Sequence, residues 1–571
     1  MNNPIKKYHP ATVIENSQRS WPSKQLLEAP RWCSTDLRDG NQALNTPMNH
    51  EKKALLFEHL ITCGFKEIEV AFPSASQTDF KFVRYLIEQN KIPDDVWIQV
   101  ITQARPELIK KTLVSLQGAA RAIVHLYNAT APLFRDVVFK KSKSEIIEMA
   151  VLSTQHIKRL CDARCQTQWI LEYSPETFCF TELEFSLEIC EAVKKAWQPS
   201  RDCPLILNLP ATVEVNTPNV YADQIEKFIS LFSDMENVTV SVHPHNDRGT
   251  GVAAAELAQL AGATRVEGCV FGNGERTGNV DLAILALNLY TQGIDPKLDF
   301  SDIRNTVKII EACTNIPVHP RHPYSGELVF TAFSGSHQDA IKKGFEATNG
   351  LQHSETWNIP YLPLDPKDVG CSYSEVIKVN SQSGKSGPSW MLEQNHGLKL
   401  PDKLQVDFSE KVQNVVDQTE NELSLAEIWD LFRRSYGITP YANLKLIDYK
   451  SDSLNSDQSI IVKVEYQGKE FNVSGKSNGL LSALIKGLSE CFELEINIVN
   501  YSEHTLGAST YSKAISYVEC ESDKNYSFFG VSIEDDTTRS SIQATLNAVR
   551  NLLISIQQTD ILMNTSEDIL S

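Results

Sequence analysis

From residue 31 to about residue 295, short apolar runs alternate with segments of helical period. The runs fall at residues 31–35, 67–71, 96–102, 122–127, 169–173, 205–209, 238–243 and 265–271. Between them apolar residues recur every three or four positions, at 51–63, 106–117, 143–160, 185–197, 221–232, 251–261 and 282–292. The first pattern predicts strands and the second helices. Strands separated by helices pair in parallel, and eight is the count that closes a (β/α)8 barrel. An open doubly wound sheet is the alternative.

The polar residues favour the barrel. Arg38, Asp39 and Gln42 follow the first strand. His125 and Tyr127 end the fourth, and Tyr173, Ser174 and Glu176 the fifth. Asn208 and Thr212 mark the sixth, His243 and His245 the seventh, and Asn273, Glu275, Arg276 and Asn279 the eighth. In a barrel the C-terminal strand ends form the catalytic face. Scattered core polars would not all collect at one end of their strands.

The pattern changes twice afterwards. Residues 326–435 are rich in Pro, Gly and Ser, with short helices predicted at 336–345 and 366–368, and read as linker subdomains. Residues 436–571 contain two similar units. Strands at 460–466 and 469–474 precede a helix at 480–492; strands at 494–501, 512–519 and 527–533 precede a helix at 538–553. This is a weak internal repeat of an α+β module. The expected organisation is an N-terminal arm (1–30), a catalytic barrel (31–325), linker subdomains (326–435) and an α+β module (436–571).

Composition narrows the partners. The chain has 571 residues, 42% hydrophobic and 22% charged, with a net charge of −18. It has no long Lys/Arg run, which argues against nucleic acid or an anionic membrane. A CoA-type substrate would need a local basic patch. No stretch approaches the ~18 apolar residues of a membrane span, and the polar N-terminus lacks a signal core. Twelve scattered cysteines then read as reduced thiols of a cytoplasmic protein.

The chemistry concentrates in two stretches. Residues two apart on a strand share a face, so His243 and His245 can grip one ion. Asp39 is a third candidate ligand, with Arg38 beside it. Two imidazoles and one carboxylate leave open positions on a divalent cation, which suits polarising a carbonyl. An isolated His-x-His is also what two ordinary polar side chains at a strand end look like. Asn246-Asp247 directly after it, and Arg38-Asp39 on the first strand, favour the metal. Oxygen and imidazole ligands suit Mg²⁺, Mn²⁺ or Zn²⁺ without choosing among them, and Mg²⁺ is the expected ion.

Three other motifs carry less. Phe271-Gly-Asn-Gly-Glu-Arg-Thr-Gly278-Asn279 lacks the glycine spacing of a dinucleotide loop. It reads as a tight turn, or as a phosphate- or metal-proximal loop whose Asn279 supplies an oxygen. Asn380-Ser-Gln-Ser-Gly384-Lys385 mimics the end of a P-loop, but Val379 stands where the first glycine is needed. His319-x-x-His322 lies among Pro317, Pro320 and Pro323 and reads as a structural connector.

Together these stretches resemble the 2-isopropylmalate synthase family in its longer form, which carries a C-terminal leucine-binding regulatory domain. The resemblance rests on Thr35-Asp-Leu-Arg-Asp-Gly-Asn-Gln42, Phe72-Pro-Ser-Ala-Ser76, Asn208-Leu-Pro-Ala-Thr-Val-Glu214, Ser241-Val-His-Pro-His-Asn-Asp247 and Gly272-Asn-Gly-Glu-Arg-Thr-Gly-Asn279. It continues through Thr331-Ala-Phe-Ser-Gly-Ser-His-Gln-Asp-Ala340, Pro360-Tyr-Leu-Pro-Leu-Asp-Pro366, Val379-Asn-Ser-Gln-Ser-Gly-Lys385, Glu503-His504 and Ser516-Tyr-Val-Glu519.

The resemblance implies condensation of acetyl-CoA with 2-oxoisovalerate, followed by thioester hydrolysis. It implies metal ligation by Asp39, His243, His245 and Asn279, and alkoxide stabilisation by Arg38. His125, Tyr127, Ser174 and Thr212 would line the oxoacid pocket. Glu176, His337 and Tyr373 would serve acetyl-CoA activation, His337 and Tyr373 from outside the barrel, which implies a homodimer with shared active sites. Leucine would act through the second repeat, at Gly507, Ala508 and Ala514. The first repeat departs from the family at Leu480, where many members carry proline. Sibling condensing enzymes that make citramalate or homocitrate are the nearest alternative, and a non-catalytic amino-acid sensor is the alternative of another class.

Overall fold

A computed structural model describes residues 16, 18–350, 356–373, 386–419, 423–438, 440, 444–454, 457–507, 512–522 and 526–567. The chain divides into two units. One runs through Val329 and takes in Pro366–Cys371; the other comprises Phe330–Asp365 and Ser372 onward.

In the first unit the apolar runs pair in sequence order. The strands are β1 (Arg31–Ser34), β2 (Glu67–Ala71), β3 (Trp97–Gln103), β4 (Arg121–Ala129), β5 (Gln168–Glu176), β6 (Leu205–Ala211), β7 (Val238–Pro244) and β8 (Arg265–Gly268). Each lies parallel to the next, and β8 pairs with β1 (Trp32↔Val266) to close the barrel. The expected barrel is therefore observed, and the open sheet is excluded.

The helices start where local chemistry satisfies their free N–H groups. The Asn49 side chain accepts from Lys52 N ahead of His50–Thr62, and Ser142 with Glu145 forms a capping box for Lys143–Asp162. Proline stands in the first turn of Pro106–Ser115 and Pro218–Leu231, where its missing N–H costs nothing. Two helices extend the sequence pattern, Gln77–Glu88 after β2 and Ile303–Thr314 after the barrel.

β8 is shorter than its apolar run predicts. A Cβ on Gly268 would lie 2.5 Å from the Val280 carbonyl, so the returning chain presses against the strand there. A single 3₁₀ turn, Val270–Gly272, follows, with Phe271 at φ 61°.

The barrel interior is layered. Ile123, Ile170 and Ile206 cluster with Trp97 and fill one layer as barrels usually do. Two residues further along the strands the filling is charged. Arg265, wholly buried, donates to Glu67 (2.6 Å), Glu267 (2.8 Å), Ser241 (2.9 Å) and Gln99 (2.8 Å), and lies 3.2 Å from Glu172. Burial and repulsion from Glu267 push the Glu172 carboxyl well up. Glu267 is also buried, but Arg265 and His243 hold it well below the usual range.

Two contacts fasten loops to this frame. Lys53 is fully buried, with Nζ 3.1 Å from Leu37 O, 3.3 Å from Val70 O and 2.6 Å from Asp79 Oδ1. Asp79 Oδ2 accepts from Phe72 N at 2.8 Å. The N-terminal arm is pinned to helix Pro218–Leu231 by Arg19, which donates twice to Asp223 (2.6 and 2.5 Å), and by Trp21 Nε1 on the same carboxylate (2.8 Å).

The second unit holds helices Gly335–Gly350, Ser386–His396, Asp402–Thr419 and Leu425–Tyr436, more helix than its Pro- and Gly-rich composition suggests. Two three-stranded antiparallel sheets follow. One contains β9 (Leu444–Leu454), β10 (Asp457–Tyr466) and β11 (Lys469–Ser477), then helix Leu480–Phe492. The other contains β12 (Ile496–Leu506), β13 (Lys513–Ser522) and β14 (Ser527–Glu534), then helix Thr537–Glu567. β9 completes the first repeat, in which the sequence predicted two strands. The third strand of each repeat carries a glycine under its helix. A Cβ on Gly475 would lie 1.9 Å from Ala483 O, and one on Gly530 2.1 Å from Ala544 O. Matching close approaches make the repeat structural, and both halves share one core that includes Val462, Leu484, Val518 and Ile542. Among the described residues no helix is long and apolar enough to cross a membrane, and the twelve cysteines are free thiols.

Candidate active site

The C-terminal strand ends surround a cavity of about 230 Å³ lined by Arg38, Asp39, Tyr127, Ser174, Glu176, Thr212, His243, His245 and neighbours. Asp39 sits in the single turn Asp36–Gly40 that follows β1. His243 and His245 project from the end of β7. Asn279 arrives from the β8 loop, bridged to His245.

These residues converge on one point. Asp39 Oδ2 lies 3.4 Å from His243 Nε2 and 3.7 Å from His245 Nε2. His243 Nε2 is 2.7 Å from Asn279 Oδ1. The other ring nitrogen of His243, Nδ1, contacts Glu267 Oε2 at 2.8 Å, which fixes the ring and leaves Nε2 for a ligand. The Asn279 amide nitrogen donates to Asn273 O at 3.0 Å, so its oxygen faces the cluster.

The donor set fits a divalent cation. Asp39, His243 and His245 each offer a buried ligand atom, all within 4.8 Å of one another. Asp39 Oδ2, the oxygen that faces both imidazoles, is buried without a hydrogen-bond partner, an arrangement that is costly unless something else satisfies it. Burial works against the Asp39 carboxylate, but Arg38 and the imidazoles hold it well below its usual range. Burial lowers His243 as well; Asp39 and Glu267 outweigh it and lift the imidazole to about 9. Burial and the charge on His243 bring His245 down to about 4. His243→Ala is therefore expected to weaken metal binding and turnover together, by about 10- to 100-fold or more in metal affinity. Mn²⁺ titration alongside initial rates measures both; an unchanged rate at limiting metal would remove His243 as a ligand.

Arg38 is held in place on both sides. Its Nε donates to Glu69 and its Nη1 lies 3.0 Å from Asp39 Oδ1. His125 sits deeper than a strand-end residue, mid-strand on β4. Its Nδ1 is 2.7 Å from Glu69 and its Nε2 2.7 Å from Ser174 Oγ, which also accepts from Asn208 Nδ2 at 3.0 Å. Thr212 Oγ1 accepts from Thr177 N at 2.9 Å, which leaves its own proton for a ligand. Burial raises the Glu176 carboxyl, with Arg38 opposing. Tyr127 packs edge-on to Phe72 with ring centroids 6.4 Å apart.

One strand-end residue faces the other way. Tyr173 is fully buried and donates to Asn128 at 3.0 Å. Alternation sends Glu172, Ser174 and Glu176 inward and Tyr173 toward the helices. Glu69, Gln99, Ile101, Glu172, Arg265 and Glu267 reach the site or its floor and were not singled out from sequence. The signal was available: Glu67-x-Glu69, Glu172-x-Ser174-x-Glu176, Ser241-x-His243-x-His245 and Arg265-x-Glu267 repeat polar residues at period two in strands that would otherwise be apolar throughout.

His337 and Tyr373 belong to the second unit. His337 is exposed in the first turn of Gly335–Gly350 and stacks on Tyr361, with centroids 3.9 Å apart. Tyr373 donates to Asp365 at 3.2 Å. Gly507 directly follows β12 with φ 95°, and Ala514 is buried on β13. Ala508 and the Asn380–Lys385 loop lie outside the described residues.

Comparison with known proteins matches three segments of the chain. Residues 29–310 match a family described as HMGL-like, 327–393 an "Alpha-isopropylmalate synthase, post-catalytic domain-like" family, and 422–553 a "LeuA allosteric (dimerisation) domain". A 2-isopropylmalate synthase of Marinomonas sp. (strain MWYL1) is 62% identical over 554 residues, covering 97% of this chain and 99% of its own length. The enzyme of that name from Cupriavidus taiwanensis is 52% identical, covering 96% of each chain. That of Pseudomonas savastanoi pv. phaseolicola is 51% identical, covering 98% of this chain and 99% of its own. Identity at this level along essentially the whole length means that the chain belongs to the 2-isopropylmalate synthase family.

Proposed function

We propose that this protein condenses acetyl-CoA with 2-oxoisovalerate and hydrolyses the thioester, giving 2-isopropylmalate and CoA with consumption of one water. It is an acyltransferase of leucine biosynthesis. The observation that carries the reading is the Asp39–His243–His245 cluster with Arg38 against it, inside a cavity that also has an apolar wall.

Asp39, His243, His245 and Asn279 would hold the cation, Mg²⁺ first among Mg²⁺, Mn²⁺ and Zn²⁺, all of which the mixed oxygen and imidazole set can take. When bound it supplies Lewis acidity to the oxoacid carbonyl. Arg38, fixed by Glu69 and Asp39, stabilises the alkoxide that develops as the carbonyl is attacked; a charge preorganised in a dry site is worth several kcal/mol of barrier, about 3–4. Thr212 donates to the oxoacid carboxylate. His125 and Ser174 form the floor of the pocket, and Tyr127 is part of its apolar wall. The methyl proton of acetyl-CoA needs a base. Glu176, with its raised carboxyl, orients that base or water, while His337 and Tyr373 serve acetyl-CoA from the linker of a partner subunit in a homodimer. Leucine acts as feedback inhibitor through the 436–571 region, at Gly507, Ala508 and Ala514. The enzyme works in the cytoplasm.

Pocket chemistry selects the oxoacid. Phe72, Ile101, Tyr127 and Pro210 line an apolar wall suited to an isopropyl group. Among the lining residues Arg276 is committed to Asp247 (2.6 Å) and to Thr212 O (2.7 Å), and Arg38 to Glu69 and Asp39. Among the described lining residues no Arg or Lys is left over for the distal carboxylate of 2-oxoglutarate. The expected order of kcat/KM is 2-oxoisovalerate above pyruvate by about 10- to 200-fold, the discrimination typical of added methyl groups in an apolar pocket. Steady-state rates with the three oxoacids measure it. Preference for pyruvate would make the enzyme a citramalate synthase, preference for 2-oxoglutarate a homocitrate synthase, and no thiol release with any of them a sensor.

A further inference from the structure

The β8 loop, residues 271–281, carries Glu275, Arg276 and Asn279, and something must hold it. Its two stems are close together: Cys269 bridges Asp281, and the loop closes on itself through Asn279 Nδ2 to Asn273 O at 3.0 Å. Both stems also touch one side chain that comes from beyond the barrel. His322 Nε2 lies 2.7 Å from Asp281 Oδ2, and its ring packs edge-on to Phe271 with centroids 5.5 Å apart.

Those two contacts fall where the loop is least able to support itself. Phe271 has φ 61°, a left-handed conformation that a bulky side chain adopts only when its surroundings impose it. Asp281 caps helix Leu282–Tyr290 by accepting from Ile284 N at 3.0 Å, so its second oxygen is the one that reaches His322. One imidazole thus grips the residue that turns the chain into the loop and the residue that ends it.

His322 is itself anchored. Ser325 Oγ contacts its Nδ1 at 2.6 Å. Gly326 N donates to His322 O at 2.9 Å, and a Cβ on Gly326 would meet Pro320 O at 2.3 Å, so the turn is built around a glycine. Tyr324 OH donates to Asn288 at 2.8 Å, on the helix that Asp281 caps. Burial disfavours the imidazolium, but Asp281 and the Pro323 carbonyl outweigh it and keep the ring toward its charged form. Neither His319 nor His322 is placed with the metal cluster, which leaves the second histidine of that motif free for this other task.

We propose that His322 is a positioning residue: by clamping Phe271 and Asp281 it sets the β8 loop so that Asn279 presents its oxygen to the cation held by Asp39, His243 and His245. The inference rests on the assignment of Asn279 as an oxygen donor. It acts through geometry and not through contact with substrate, so its signature is coupling to Asn279.

The test is a double-mutant cycle on the full-length enzyme with Mn²⁺ as probe. Mn²⁺ affinity is measured by titration without substrate, kcat and KM by thiol release, and thermal midpoints for every variant. N279A and H322A are each expected to weaken Mn²⁺ binding, by about tenfold for a ligand-orienting group. The double variant is expected to be no weaker than N279A alone, because a positioning residue has nothing left to position. H322Q, whose amide can contact Asp281, is expected to recover most of the loss; H322L, which fills the space without a polar group, stands in for H322A should that variant not fold. Unaltered Mn²⁺ affinity in H322A, or in H322L in its place, overturns the proposal while N279A retains its loss. Losses that multiply in the double variant overturn it also, since His322 would then act elsewhere. An N279A enzyme that binds Mn²⁺ as the parent does removes the Asn279 assignment and this proposal with it.

Discussion

Arg38→Gln is expected to lower kcat by about 10²- to 10³-fold, the usual cost of removing a preorganised group from a developing oxyanion. The side chain is nearly buried, and its two carboxylate partners, Glu69 and Asp39, hold the guanidinium in one orientation. Neutral glutamine keeps much of the volume but not the charge. Arg38→Lys is expected to restore little, because a single ammonium cannot match a fork that bonds two carboxylates at once. Mn²⁺ affinity should fall far less than kcat in either variant, since Asp39 remains. A pre-steady-state measurement of the condensation step separates the two effects. A kcat within threefold of the parent would show that Arg38 is not the group that meets the alkoxide.

The second large effect concerns stability. Arg265→Met leaves Glu67, Glu172 and Glu267 around a cavity with no guanidinium among them. Breaking a buried ionic cluster from one side costs about 3–5 kcal/mol, a large fraction of the stability of most domains. The pH dependence gives the cause away. Without Arg265, carboxyls such as Glu267, now held well below the usual range, are raised by burial. A carboxyl raised in the folded state contributes stability that is present below its unfolded value and lost as pH rises through the folded one. The deficit of the variant should therefore widen from mildly acidic toward alkaline pH. Urea unfolding at several pH values measures it, and a deficit independent of pH would mean that packing, not charge, is what Arg265 contributes.

The barrel was readable because its two periods are so distinct. Strand runs and helical segments alternate, and the residues with chemistry stand just after the runs. The grouping of Asp39, His243 and His245 was readable for the same reason: His243 and His245 share a face by simple alternation, and Asp39 follows another strand. Arg265 and its carboxylates were missed because they lie inside the strands, where burial is normally apolar and a charge looks like an interruption. Only closure of the barrel brings β2, β5 and β8 around a common axis, and pairing across an interior is not written in any one segment. The same holds for Lys53, on a helix face like any other until Leu37, Val70 and Asp79 surround it. Tyr173 was misplaced for a smaller reason: one step along a strand changes the face. Linker helices such as Asp402–Thr419 and Leu425–Tyr436 were hidden by the Pro- and Gly-rich segments around them, and β9 by a polar stretch that gains its apolar partners only from the sheet.

The buried ammonium of Lys53 has a consequence for redesign. The loops of a barrel are commonly treated as interchangeable parts set on an indifferent frame. Here a single nitrogen holds the carbonyl of Leu37, next to Arg38, and through Asp79 it also holds the amide of Phe72 on the following loop. Displacing the first loop alone would cost that nitrogen its Leu37 contact, and displacing the second alone would cost Asp79 its Phe72 amide. In this enzyme the two loops, with the helices that carry Lys53 and Asp79, form one cassette, and a change of oxoacid preference made at Phe72 has to be engineered together with the loop that bears Arg38.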